Sequence, residues 1–230
     1  MSYKNIFFDL DDTLWAFSLN ARDTYEEMYW KYEYNRFFDS FEHYYSLYHH
    51  RNLELWAEYA DGKVTKEELN RQRYLYPLKA VGICDSALAK AYEKDALAAI
   101  PTKSKLMPHA REVLEYLSSK YNLYILSNGF KELQSHKMHS SGIDKYFKKI
   151  VLSDDIGVLK PWPEIFYFAL SATQSELKDS LMIGDSWEND IAGAAGVGMH
   201  QVFYNLSGRM DLPFMPTYQI SDLKELLDLL

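Results

Sequence analysis

Apolar and polar positions change their spacing along this chain. Residues 3–8 are aromatic and apolar and run straight into Asp9, Asp11 and Asp12, the pattern of a buried strand ending in a polar loop. Residues 17–100 carry no credible strand. Charged and apolar residues mix there at helical spacing, which predicts about four helices. Thr65-Lys66-Glu67-Glu68 has the form of a capping box with Thr65 as N-cap, and Asp85 or Ser86 is placed to open a helix ending near Ala99. Beyond residues 101–105 strand-like and helix-like runs alternate. Helices are predicted over 109–119, 131–141, 163–171, 191–195 and 222–230, and strands over 123–126, 149–152, 180–183 and 199–204.

Strands alternating with helices imply an α/β protein with a doubly wound, Rossmann-like parallel sheet. That core is expected from residues 1–16 and 101–230. Residues 17–100 then form an all-helical cap inserted after the first strand. The connections near 15–18 and 101–105 are the expected hinges around which the cap opens and closes.

Composition narrows the function classes. A chain of 230 residues, 47% hydrophobic, has enough apolar material for one large core or a core with an insertion. No apolar run is long enough to cross a bilayer, and no basic stretch followed by an apolar one opens the chain. Neither a membrane span nor a signal peptide is expected. The single cysteine, Cys84, cannot form an internal disulfide, which fits a reducing cytoplasmic setting. A formal net charge of −8 without a basic run argues against a nucleic acid polymer as partner. A small anionic substrate remains compatible, because local charge and a metal dominate inside a cleft. His43, His49, His50, His136 and His139 lack convincing ligand spacing, so no zinc site is expected. Monomer and homodimer are both left open.

Four groups of polar residues follow strand-like runs: Asp9 with Asp11, Ser127-Asn128-Gly129, Lys160-Pro161, and Asp185 with Asp190. Taken singly each has an ordinary reading. Asp9 and Asp11 would cap a turn, Ser127 or Asn128 would cap a helix, Lys160 would be a solvated lysine, and Asp190 would cap a short helix. In a doubly wound sheet, however, the carboxyl ends of the strands share one crevice, which would bring all four groups together. Four carboxylates there require positive charge. Lys160 is the one obvious cation, and Mg²⁺ suits an all-oxygen site.

The ordered set Asp9-Leu10-Asp11-Asp12-Thr13, Leu126-Ser127-Asn128-Gly129, Gly157-Val158-Leu159-Lys160-Pro161 and Gly184-Asp185-Ser186-Trp187-Glu188-Asn189-Asp190 resembles the haloacid dehalogenase superfamily over essentially the whole chain. The helical insertion resembles that family's first cap type. The resemblance implies a phosphoric monoester hydrolase working through an aspartyl-phosphate. Asp9 is then the nucleophile and Asp11 the acid/base, which carries a proton in the first step among other carboxylates. Mg²⁺ is implied on the Asp9 side chain, the Asp11 backbone carbonyl and Asp185, with Asp190 acting through water or from behind. Ser127 and the Asn128 amide, beside Gly129, would bind phosphoryl oxygens, and Lys160 would bridge phosphate and Asp9. Superfamily dehalogenases usually lack the second Asp, so Asp11 points to phosphate rather than carbon–halogen substrates. Asp12 is expected to be a bystander. Trp162 departs from the small polar residue usual after Lys-Pro.

Within the family the resemblance is to the pyrimidine 5′-nucleotidase-like branch, which implies a nucleoside 5′-monophosphate as substrate. Sugar-phosphate phosphatase and phosphomutase are the alternatives, and a phosphoaspartate signalling domain is the alternative of another class. The many cap aromatics, among them Tyr25, Tyr29, Trp30, Tyr44 and Tyr48, are read mainly as core and secondarily as a stacking face for a nucleobase. Phe17 and Arg22, where the chain enters the cap, are the candidate contacts to the leaving group.

Overall fold

Short apolar runs bounded by polar loops fold as the strands of one parallel sheet. The computed structural model describes residues 3–230. The strands are β1 (Asn5–Phe8), β2 (Asn122–Ser127), β3 (Lys149–Leu152), β4 (Ser180–Gly184), β5 (His200–Tyr204) and β6 (Tyr218–Ile220), in the order β3-β2-β1-β4-β5-β6. All pairings are parallel, with Phe8 in register with Ile125 on one side and Ile183 on the other. The chain builds outward from β1 to β3, returns to the centre, and builds the other way from β4. The switch point therefore lies between the carboxyl ends of β1 and β4, where doubly wound sheets bind ligands.

Every residue of β1 is buried, as expected of a central strand covered on both faces. Alternation along the strands sends Phe7, Tyr124 and Met182 to one face. There they pack with Ile165, Phe166 and Ala169 of the helix Pro163–Thr173. Burying such a side chain contributes ~1.5–3 kcal/mol before entropy is counted, so this layer is a main support of the sheet.

The chain divides into two compact units, Met1–Ser18 with Lys103–Leu230, and Leu19–Thr102. The second unit holds α1 (Phe17–Lys31, which starts in the first), α2 (Phe41–Ala60), α3 (Lys66–Ala80) and α4 (Ser86–Ala99). Ser40, Thr65 and Asp85 cap the last three through their side chains. The capping box at Thr65 is only half formed. Thr65 accepts from Glu68 N, but the Glu68 carboxylate is drawn to Arg71 and Gln72 instead. The core of this unit is aromatic: Tyr25, Tyr29, Tyr34, Tyr44, Tyr48, Tyr74 and Tyr92 are all buried. Tyr25 and Tyr48 join their hydroxyls at 2.6 Å, and Tyr92 donates to the Tyr25 carbonyl at 2.9 Å. Most rings that could have offered a stacking face are thus consumed as core, Trp30 being an exposed exception.

The first unit adds α5 (Ala110–Ser118), α6 (Lys131–Ser141), α7 (Pro163–Thr173), α8 (Gly193–Gly196) and α9 (Leu226–Leu229). Three local departures from the sequence pattern appear. A π-helical turn, Trp187–Ala192, precedes α8. The closing helix is split into a 3₁₀ turn, Leu223–Glu225, and α9, where the Asp222–Glu225 capping box tightens its start. Strand β6 was not anticipated; its three residues are too few to display an alternation. Among the described residues no helix is long and apolar enough to cross a membrane. Cys84 is free and exposed.

Candidate active site

Asp9 is the first residue past β1, and its backbone N–H continues the sheet by donating to Ile183 O at 2.9 Å. Asp185 directly follows β4. The register between β1 and β4 therefore sets the two residues side by side across the switch point. Thr13, fully buried, ties the two loops together. Its hydroxyl donates to Asp185 Oδ1 at 3.0 Å and accepts from the Asp185 N–H at 3.1 Å. Carboxylate oxygens of Asp9, Asp185 and Asp190 lie within 4.8 Å of one another.

Lys160 is buried in the middle of this group. Its ammonium donates to Asp9 Oδ1 at 2.7 Å, Asp190 Oδ1 at 2.6 Å and Leu126 O at 2.7 Å. Burial opposes the charge on Lys160, but Asp190 and Asp9 outweigh it and hold the ammonium above its usual range. Asn128 fixes the loop that delivers it. The Asn128 side chain donates to Lys160 O at 2.9 Å and accepts from Lys160 N at 2.7 Å. The Asn128 side chain is thus engaged by the Lys160 loop through both its nitrogen and its oxygen.

Asp190 comes from the π-helical turn and spends both oxygens on protein partners, Oδ1 on Lys160 and Oδ2 on the Ser186 N–H at 3.1 Å. Its carboxylate fills the space a side chain at Gly184 would need, so only glycine fits there. Burial pushes the Asp9 carboxyl well above the usual carboxylate range, reinforced by Asp190 and Asp185 and partly offset by Lys160. Asp185 is pushed up to about 7, by burial first and the Asp190 charge second, against the pull of the Thr13 hydroxyl. Three carboxylates around one ammonium leave negative charge unbalanced. An all-oxygen donor set of this kind fits a hard divalent cation such as Mg²⁺.

The second half of the site was only partly legible in sequence. Asp11, expected among carboxylates, meets a second buried ammonium. Lys137 Nζ lies 2.7 Å from Asp11 Oδ1 and 2.9 Å from Oδ2. Gln134 Nε2 donates to Asp11 Oδ2 at 3.0 Å and to Ser127 Oγ at 2.7 Å, so one amide joins two of the predicted residues. The Gly129 N–H also donates to Ser127 Oγ, at 3.1 Å. Gly129 has a steric role too: a Cβ there would collide with the Gln134 amide. The signal that could have revealed this pair is periodic. Gln134, Lys137, Met138 and Ser141 stand at the i, i+3, i+4, i+7 spacing of the buried face of α6, three of them polar where apolar residues belong.

Asp12 is more than a bystander. It adopts a left-handed backbone, φ 58°, and accepts from the Ser18 N–H at 2.8 Å and Ser18 Oγ at 2.6 Å. This pins the exit from the first loop. Phe17 lies half-buried there, its ring 6.3 Å from Trp15 and 5.1 Å from the Lys137 ammonium. Arg22 belongs to the helical unit, where it pairs with Glu42 at 2.9 Å and stacks over Phe41 and Tyr45. Trp162 is exposed at the start of α7.

A family model described as a haloacid dehalogenase-like hydrolase matches residues 3–198. The chain belongs to this family. Among curated members it is similar to the pyrimidine 5′-nucleotidase YjjG of Escherichia coli (strain K12), 30% identical over 100% of this chain and 99% of the other. It is likewise similar to the pyrimidine 5′-nucleotidase PynA of Streptococcus pneumoniae (strain ATCC BAA-255 / R6), 28% identical over 100% and 96%. Among solved haloacid dehalogenase-like structures, the putative hydrolase YfnB of Bacillus subtilis bound to magnesium superposes with a TM-score of 0.87. It is 27% identical over 100% of this chain and 99% of that one. The six-stranded order with an inserted helical unit is thus the fold of a hydrolase family, as the motifs implied.

Proposed function

We propose that this chain is a Mg²⁺-dependent phosphomonoesterase of small metabolites, with nucleoside 5′-monophosphates as its preferred substrate class. The observation that carries the reading is Lys160, a buried ammonium clamped between Asp9 and Asp190 at the switch point. A carboxylate so placed is oriented for attack and screened from one side, which a merely structural aspartate has no use for.

Asp9 is the nucleophile. Its oxygen forms a bond to phosphorus as the bond from phosphorus to the leaving oxygen breaks, and the leaving oxygen takes the proton of Asp11. Asp11, now a carboxylate, then removes a proton from the water that attacks the phosphorylated Asp9, releasing phosphate and restoring both side chains. Ser127 hydrogen-bonds the transferring phosphoryl group, and Lys160 balances charge on Asp9. Asp9, Asp185 and the Asp11 backbone carbonyl would hold Mg²⁺, with Asp190 behind them, and the bound cation would supply the countercharge that the carboxylates and phosphate require.

The helical unit is assigned the choice of leaving group, with Phe17 and Arg22 as contacts. The two nucleotidase relatives support the nucleotide preference. The test is phosphate release from a panel of nucleoside 5′-monophosphates and sugar phosphates, with and without Mg²⁺. Metal-dependent release led by pyrimidine 5′-monophosphates is expected. No release from any member contradicts the reading, and release confined to sugar phosphates contradicts the nucleotide preference. Phe17→Ala and Arg22→Ala should lower kcat/KM on the preferred nucleotide; unchanged values remove these two residues from substrate contact.

A further inference from the structure

We infer that Lys137, with Gln134 one helical turn before it, is the positioning residue for Asp11. The inference rests on the reading of Asp11 as the group that hands a proton to the leaving oxygen. Such a group must present one oxygen to a departing atom at hydrogen-bond distance, and a flexible aspartate at a loop would do so only part of the time. Here three donated hydrogen bonds fix the carboxylate: both oxygens bind Lys137, and Oδ2 also binds Gln134.

The lysine is itself held. Its side chain is 3% exposed, whereas that of Asp11 is 26% exposed. The ammonium therefore supports the carboxylate from the protein side and leaves part of Asp11 open. Two ring faces complete the enclosure, Trp15 at 4.8 Å and Phe17 at 5.1 Å from the Lys137 nitrogen. Trp15 is fully buried and is bound to the Asp11 loop through the Asp12 N–H, which donates to Trp15 O at 2.8 Å. Cation, rings and carboxylate thus come from α6, from the first loop and from Phe17 at the start of α1. Gln134 extends the same support to Ser127, which aligns the proton carrier with the proposed phosphoryl-binding hydroxyl. The missing side chain at Gly129 is what admits Gln134.

A residue that positions the proton carrier has a signature that a structural residue lacks. An acidic aryl leaving group departs without a proton, whereas an alkoxide such as a nucleoside 5′-oxygen needs one. The experiment measures kcat/KM for Lys137→Met, Lys137→Arg, Gln134→Met and Asp11→Asn on p-nitrophenyl phosphate and on a nucleoside 5′-monophosphate, with thermal unfolding of each protein alongside. Lys137→Met is expected to lose ~10²–10³-fold on the nucleotide and under about tenfold on the aryl ester in the bond-breaking step, the general-acid contribution being of that order. Gln134→Met should shift the ratio in the same direction by less, and Lys137→Arg should recover part of the nucleotide activity. Equal losses on both substrates for the folded Lys137 and Gln134 variants overturn the inference while leaving the phosphatase reading intact, provided Asp11→Asn discriminates between the substrates. If Lys137→Met does not fold, the Gln134→Met ratio and the Lys137→Arg recovery decide. A wild-type protein that hydrolyses neither ester removes the nucleotide preference and overturns this inference with it.

Discussion

Replacing Lys160 with Met removes a buried charge while keeping most of the side-chain length. All three ammonium protons are engaged, at 2.7 Å to Asp9, 2.6 Å to Asp190 and 2.7 Å to Leu126 O, and the side chain is 2% exposed. The substitution leaves two buried carboxylates without their shared cation. Removing one partner of a buried ion pair costs ~3–5 kcal/mol. In a chain of this size ~1 kcal/mol moves Tm by roughly 2–4 °C, so the metal-free variant should melt roughly 6–20 °C below the metal-free wild type at pH 8. The gap should narrow as the pH falls toward about 5, because burial holds the Asp9 carboxyl well above the usual carboxylate range and acid leaves less negative charge for the cation to balance. Calorimetric melts of chelator-treated protein at the two pH values measure both numbers. A loss under ~2 °C at pH 8, against the several degrees expected of a buried pair, would refute the claim that Lys160 balances these carboxylates. So would a loss independent of pH.

Other consequences follow from the same charges and contacts. Asp185, raised to about 7 in the folded chain, holds a proton that the unfolded chain releases near pH 4. Its contribution to stability is complete below pH ~4 and is lost as pH climbs through about 7, up to roughly 4 kcal/mol in all. Metal-free wild type should therefore lose more Tm between pH 5 and 8 than Asp185→Asn does, and Mg²⁺ should restore more of it at pH 8 than at pH 5; parallel slopes for the two proteins would contradict this. Thr13→Val removes the hydroxyl that both donates to and accepts from Asp185, and should weaken Mg²⁺ binding ~10–100-fold by titration calorimetry. An unchanged affinity would separate Thr13 from the cation. Gly184→Ala places a methyl where the Asp190 carboxylate sits, and should abolish phosphate release even where the protein still folds; retained kcat would show that Asp190 can move without consequence.

The Asp9 side of the site was legible because each residue there directly follows an apolar strand or its loop. Asp9 and Asp185 flank the central strands, so the sheet register alone brings them together. Lys160 was legible only as part of the ordered set of motifs, since nothing local in Leu159-Lys160-Pro161 announces a buried ammonium. Lys137 and Gln134 were not found because their signal is a helical face, and polar residues on such a face read as solvated until tertiary packing is known. The same limit applies to the aromatic helices. Spacing shows that the rings are there, but whether Tyr44 or Tyr92 faces its own core or a ligand is decided by packing, and packing placed both inside. The role of Asp12 depends on a left-handed backbone that sequence does not announce for an aspartate.

Asp9 is the proposed acceptor of the phosphoryl group, and Asp11→Asn offers the means to catch it. Without a base for the attacking water, the phosphorylated form should accumulate. Acid quenching of Asp11→Asn with p-nitrophenyl phosphate and Mg²⁺, followed by peptide mass mapping, should place one phosphoryl group on Asp9 and none in Asp9→Asn. Aryl phosphate turnover with no adduct on Asp9, or an adduct on another residue, would contradict the mechanism at its first step.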